Sequence, residues 1–261
     1  MNTFLIIITI IYGIIIGSFL NVCIYRIPKN ESIVTDRSHC MTCGHKLKWY
    51  DLVPLVSYLT LGGKCRYCKT KISKQYPVIE FTNGVLYGIL VVVNGFNIST
   101  ILFCLCSSAL LALSVIDWRT FEIPIAFNIF IGILGIIRLL TDLEHWYVYI
   151  IGFFAVSGFL YLLFLITKGR GIGGGDIKLM AAAGLLIGWK NIILALGIGC
   201  VLGSIIHIIL MKVQNKERVL AFGPYLSLGI YIAMLYGNQI IEWYINCLLY
   251  TSDAADDRIS V

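Results

Sequence analysis

The chain has 261 residues, 59% of them hydrophobic and only 13% charged, with a formal net charge of +6 and a mean hydropathy of +0.88. A water-soluble domain carries about 25% charged residues, so this composition excludes one and implies a polytopic membrane protein. Open sheet edges cannot stand in lipid, which leaves an all-α architecture of helix packed on helix. No nucleic-acid motif accompanies the basic residues, so no nucleic-acid partner is expected, and their uneven placement is taken as a topology signal.

In chain order, residues 3–23 are apolar enough to cross a bilayer, at about 20 residues per crossing. No basic stretch precedes them and no small-residue cleavage site follows, so they are predicted to be an uncleaved first helix within a segment 1–25. From 26 to 77 the chain turns polar and carries ten Lys/Arg against Glu31, Asp36 and Asp51, a net +7. That excess places the loop in the cytoplasm. Its apolar piece 52–61 is too short to cross and is expected in the interface or against the membrane helices. Further apolar runs lie at 78–96, 98–116, 124–140, 146–167, 177–189, 191–211 and 224–245, making about eight predicted spans with the first. Alternating from an outside N-terminus puts the links 117–122, 168–178 and 212–218 inside, with Arg119, Lys168, Arg170, Lys178, Lys212, Lys216 and Arg218. The outside links hold Lys190 with Asp142 and Glu144, so the charge bias agrees with the alternation. Residues 78–246 form one seven-helix membrane domain, and 247–261 depart in composition and are set aside as a non-native tail.

Four of the nine cysteines form two pairs in the basic loop, Cys40-Met-Thr-Cys43 and Cys65-Arg-Tyr-Cys68. Two C-x-x-C pairs at this separation are the pattern of a closed, four-thiolate zinc site, which is structural rather than catalytic. Cytoplasmic thiols stay reduced, which disfavours disulfides. His39 and His45 adjoin the first pair as alternative ligands. Cys23, Cys104, Cys106 and Cys200 lie in apolar runs and behave as small apolar residues.

Between two apolar runs stands Gly169-Arg-Gly-Ile-Gly-Gly-Gly-Asp176-Ile-Lys178. Five glycines in ten residues make a loop that delivers Asp176 to the start of the next helix. Asp176 is either an N-terminal cap or a functional carboxylate at the membrane edge. A second aspartate, Asp117, ends the third predicted span on the same face. Two carboxylates sharing one site share a proton; the ionised one then activates water while the protonated one polarises a carbonyl.

Gly173-Gly174-Gly175-Asp176 is a G-x-G-D motif. Together with Gly17–Pro28, both cysteine pairs, Gln75–Glu80, Ile116–Pro124, Gly173–Leu179 and Phe222–Gly229, it makes the chain resemble the type IV prepilin peptidases over nearly all of residues 1–245. The resemblance implies a bifunctional enzyme of the bacterial inner membrane, multi-pass and with its site facing the cytoplasm. Such enzymes remove the leader of prepilins and pseudopilins and then methylate the new N-terminal amine from S-adenosylmethionine. It implies Asp117 and Asp176 as the catalytic dyad, 78–246 as the peptidase domain, and a zinc loop in the region linked to methylation. Met41 stands where many relatives have proline, which leaves the thiols untouched. Oligomeric state is not specified.

Glu80, near the start of the second span, needs a partner or water. It is either a carboxylate at the wet interface or, as the resemblance suggests, a residue for the methyl donor or substrate, with Lys74 as a possible partner. Glu122 is expected to stay solvated. A peptidase without the methylation step would not need the cysteine loop. A proton-relaying transporter would show repeated halves, and no internal repeat is found.

Overall fold

The computed structural model describes residues 3–35, 37–214 and 221–259, with side chains up to 211 and from 221 to 247. The helices are α1 (Thr3–Arg26), α2 (Val56–Thr60), α3 (Gln75–Asn94), α4 (Ile98–Thr120), α5 (Ile125–Thr141), α6 (Trp146–Ile166), α7 (Gly174–Ile187), α8 (Trp189–Gln214) and α9 (Gly223–Ile259). No strand occurs among the described residues, only two isolated antiparallel bridges. Every predicted apolar run became a helix, and α2 is the short turn within the apolar piece of the loop.

Among the described residues five helices are long and apolar enough to cross a membrane: α1 with its extension to Lys29, α3, α4, α6 with residues 143–145, and α8. The other three stand at the expected places for different reasons. α5 is apolar but has 17 residues. α7 has 14, about 21 Å of helix against a hydrocarbon core of about 30 Å. It is cut at both ends by glycine, and Leu179 through Ile187 are all buried. A helix wrapped in protein on every side need not match the bilayer alone. α9 interrupts its apolar surface with Asn238, Gln239 and Glu242. The predicted link 212–218 and most of the tail 247–261 lie outside the residues whose side chains are described.

Helix ends follow local chemistry. The Asn97 side chain accepts the Thr100 N–H at 2.9 Å and starts α4, as an N-cap asparagine does. Gly188, at φ +83°, closes α7 with its N–H on Gly184 O. Phe121 closes α4 in the same left-handed region, at φ +55°, its N–H on the Asp117 carbonyl.

The chain forms two compact units, residues 1–130 and 131–261, so the division falls inside α5. In the first, α1 lies on α3 and α4 packs against both. Small residues allow the close approach: a Cβ added at Gly17 would sit 2.7 Å from the Glu80 Cα, and one at Gly13 would sit 2.9 Å from the Gly84 Cα. Tight backbone approach through glycine is how helices associate where lipid offers no hydrophobic drive. A buried polar chain ties the three helices. Asn83 Nδ2 donates to Gly13 O at 2.7 Å, Ser108 donates to Asn83 Oδ1 at 2.9 Å, and Tyr87 lies 2.9 Å from Ser108. In the second unit α7 packs on α6 through Gly152 and Gly184, and α8 packs on α9 where Gly229 meets Ala195 and Gly199.

Candidate functional site

The loop between α1 and α3 is organised by its cysteines. Cys40 N donates to His45 O at 3.0 Å and Gly44 N to Cys40 O at 2.8 Å. Cys65 N donates to Thr70 O at 2.8 Å and Lys69 N to Cys65 O at 3.0 Å. The two C-x-x-C segments are thus the same turn built twice, each closed by a bridge, His39 with Lys46 and Lys64 with Lys71. The residue after each pair is left-handed, Gly44 at φ +68° and Lys69 at φ +59°. The glycine was legible in the sequence; the lysine in the same role was not.

The four sulfurs all lie within 4.8 Å of one another, and Cys40 Sγ is 3.7 Å from Cys68 Sγ. A tetrahedral zinc with bonds of ~2.3 Å sets its sulfurs about 3.8 Å apart, so the cage fits such an ion. None of these four cysteines is disulfide-bonded. The local surroundings of the thiols differ. The Thr70 hydroxyl, 3.4 Å away, and the Thr70 backbone bring Cys68 down to about 6. The Cys43 and Thr42 amides lower Cys40. Cys43 has the His45 amide in its favour, yet desolvation and the neighbouring Cys40 and Cys68 sulfurs raise it to about 11. Four thiolates cannot coexist in so small a space without positive charge among them. His39 and His45 are not in the cluster: the His39 ring lies 3.2 Å from Arg37 O, and the His45 ring packs on Tyr67 with centroids 3.6 Å apart.

The loop is anchored to the helices. Arg66, between the second pair of cysteines, binds Asp51 at 2.7 Å, and its guanidinium lies over the Tyr50 ring at 5.0 Å. The apolar piece 52–61 is tied to the helices through Leu55, whose N–H donates to Glu80 Oε2 on α3 at 2.8 Å. Leu55 adopts φ +59° to do so. Glu80 is 6% exposed, and the Ser18 hydroxyl also bonds it. The carboxylate therefore sits in protein rather than at a wet interface, and the partner found for it is the Leu55 backbone rather than Lys74. Nearby, Asn21 Nδ2 donates to Gly17 O and Tyr76 O, both at 3.2 Å, while its Oδ1 is buried without a partner. A cavity of about 750 Å³ opens between the loop and the ends of α1 and α3, with Asn21, Tyr58, Tyr76 and Glu80 in its wall.

The two aspartates stand on other helices. Asp117, 4% exposed, lies in the last turn of α4. Asp176, 9% exposed, lies in the first turn of α7. The N-cap of α7 is Gly173, which has no side chain to bond the helix end, so Asp176 does not hold the N-cap position. It is the third helical residue, with its Oδ2 close over Gly173, where a Cβ would come within 3.1 Å. The positive end of the helix dipole favours a carboxylate there, and the absent Cβ leaves one side of it clear. Glu122 and Lys178 are exposed. Asp117 belongs to the first compact unit and Asp176 to the second.

Two family models match the chain: the bacterial peptidase A24 N-terminal domain over residues 11–94 and the type IV leader peptidase family over residues 104–208. The first block contains the four cysteines, Glu80 and the cavity wall; the second contains Asp117 and Asp176. The chain is 34% identical to a prepilin leader peptidase/N-methyltransferase of Bacillus subtilis, over 92% of this chain and 97% of the relative. It is 32% identical to one from Pseudomonas aeruginosa, over 91% and 92%, and 30% identical to one from Aeromonas salmonicida, over 92% and 93%. No solved structure matches the chain at a significant level. With two family models in order along it and relatives matched over nearly their whole length, the chain belongs to the type IV leader peptidase family.

Proposed function

We propose that this protein is a multi-pass enzyme of the bacterial inner membrane that removes the leader peptide of prepilins and pseudopilins and N-methylates the residue so exposed. The observation that carries the peptidase half is the pair of buried carboxylates, Asp117 ending α4 and Asp176 opening α7, both within the segment matched by the leader peptidase model. A carboxylate shut away from water inside a membrane protein is costly unless it has a task. In this reading the two act as one aspartic dyad facing the cytoplasm. The ionised member takes a proton from a water molecule as its oxygen attacks the scissile carbonyl. The protonated member gives its proton to the carbonyl oxygen, and the proton gained from water later goes to the leaving amine. The low-side-chain loop before Asp176 gives an extended substrate backbone room to approach.

Zinc, held by Cys40, Cys43, Cys65 and Cys68, is the cofactor that the sulfur cage fits. Its part is to hold residues 38–72 in shape, since a site closed by four thiolates has no open position for chemistry. For the second activity S-adenosylmethionine supplies an activated methyl group. The new N-terminal amine, in its neutral form, would accept that methyl group and give up one proton.

The test is to incubate Asp117→Asn and Asp176→Asn proteins with a prepilin and follow the leader by mass. Each substitution removes one of the two proton-transfer partners and should slow cleavage by at least about 10²–10⁴-fold. Because the two work as a unit, the double variant should lose little more than either single one. Near-normal cleavage by either variant removes that residue from the mechanism.

A further inference from the structure

The short helix α2 is inverted for a segment in water. Its Ser57 and Tyr58, and Leu61 just past its end, line the cavity beneath the thiolate loop. Val56 and Leu59, three residues apart and so on one helical face, take no part in that wall and are 56% and 75% exposed. Val53, just before them, is exposed as well. A helix against water turns its polar side outward; here the outward side is apolar. The height of α2 is fixed by Leu55, whose N–H bonds Glu80 in the second turn of α3. That point lies about 7.5 Å along the helix from Gln75. All 20 residues of α3 make about 30 Å of helix, no more than the hydrocarbon core itself. Val78 and Phe81, flanking Glu80 on α3, are exposed too, so α3 shows apolar side chains outward at this height. The rest of the loop supplies charge. Residues 38–74 carry seven Lys/Arg against one acid, Asp51, which Arg66 binds. Lys46, Lys48, Lys64, Lys69 and Lys74 are all exposed.

We infer that α2 seats the thiolate loop on the membrane, with Val53, Val56 and Leu59 at the hydrocarbon boundary of one leaflet and the loop's lysines on the phosphates of anionic lipids. This contact is independent of both proposed activities. Helices that lie in the interface bury their apolar face roughly 5–10 Å into that boundary, and the bond to Glu80 holds Leu55 at a matching depth. Charge decides the occupant. A second copy of this chain would bring the same basic surface to the contact, and like charges facing each other oppose association. An anionic leaflet is the complement, and each Lys or Arg near such a surface adds to the attraction. The left-handed backbone of Leu55 then has a role: it turns the chain so that the N–H meets Glu80 while the side chains that follow reach lipid. The loop is thereby folded by its four thiolates and seated by the bilayer, with the cavity enclosed between α2 and the ends of α1 and α3.

The experiment uses the full-length, metal-loaded protein at one copy per lipid nanodisc, produced with 5-fluorotryptophan. Leu59→Trp adds one fluorine resonance at the proposed contact; if that variant loses its metal, Val56→Trp takes its place. Two agents broaden the resonance from opposite sides, a phospholipid with a nitroxide high on its acyl chain and a water-soluble gadolinium chelate. In discs of equal parts phosphatidylglycerol and phosphatidylcholine, the resonance should be lost to the nitroxide lipid and survive the chelate. In discs of phosphatidylcholine alone, the balance of seated and lifted loop should move toward the chelate-accessible form by at least about tenfold, as the loss of two or more lysine attractions implies. A resonance lost to the chelate in the mixed discs overturns the proposal and leaves the apolar face to a soluble partner. A resonance spared by both agents overturns it as well, because the side chain is then covered by protein. Lipid contact that is the same in both kinds of disc overturns the part assigned to the lysines.

Discussion

At Gly44 and Lys69 the same backbone turn is made by two different residues, and the pair isolates what the left-handed conformation costs. A Cβ at Gly44 would meet nothing within 4 Å, so Gly44→Ala should destabilise the loop through φ alone, by about 1–2 kcal/mol. Lys69→Gly should act in the opposite sense, by up to about 1 kcal/mol, because it relieves the same strain while freeing the unfolded chain. The check is the rate of metal loss to a chelator, faster for the first variant and slower for the second. Cys65 is the one buried thiol of the four, so Cys65→Ser should lower bound zinc and loosen the loop more than Cys43→Ser, whose side chain is exposed. Metal analysis and limited proteolysis of residues 38–72 read both.

Helices in this protein meet through glycine faces, and packing there has little slack. A side chain at Gly17 would enter the α3 backbone at Glu80, so Gly17→Val should force α1 and α3 apart. Overpacking of this kind costs about 1–3 kcal/mol and should appear as a lower unfolding temperature in detergent. Gly158 on α6 has nothing within 4 Å of an added Cβ, so Gly158→Ala should be neutral or stabilising by up to about 1 kcal/mol, from helix propensity alone. An equal gain in both variants would mean that helix propensity, not interhelical contact, governs these positions. The same reasoning explains why α7, with 14 residues, is tolerated: its burial on all sides replaces the lipid match that longer helices need.

On the scale of the whole molecule, the proposed mechanism requires the thiolate loop, the end of α4 and the start of α7 to open on one side of the membrane. The distribution of Lys and Arg predicts this orientation. A protease site inserted after Arg170 should be cut in inside-out membrane vesicles and spared in intact cells. Cutting in intact cells would place the 168–178 loop outside and separate it from the basic loop 26–77. Chelation should act on one region: residues 38–72 become protease-sensitive while α6 to α9, in the other compact unit, keep their protection.

Local spacing determined much of this protein by itself. The apolar runs specified the helices to within a few residues, because a segment in lipid has no other way to satisfy its backbone. Two C-x-x-C pairs specified the cage, because the chelating turn is four residues long and nearly independent of its surroundings. The conflict over Asp176 was different in kind: the same aspartate at a helix start serves as cap or as active carboxylate, and only the backbone showed that Gly173 holds the cap position. Glu80 likewise looked like an interface carboxylate until the fold brought Leu55, 25 residues away in sequence, onto it. Asn21 joins Tyr76 across 55 residues, in the wall of a cavity that no single segment encloses. Contacts between distant residues depend on how helices and loop are packed together, and no periodicity along the chain encodes them.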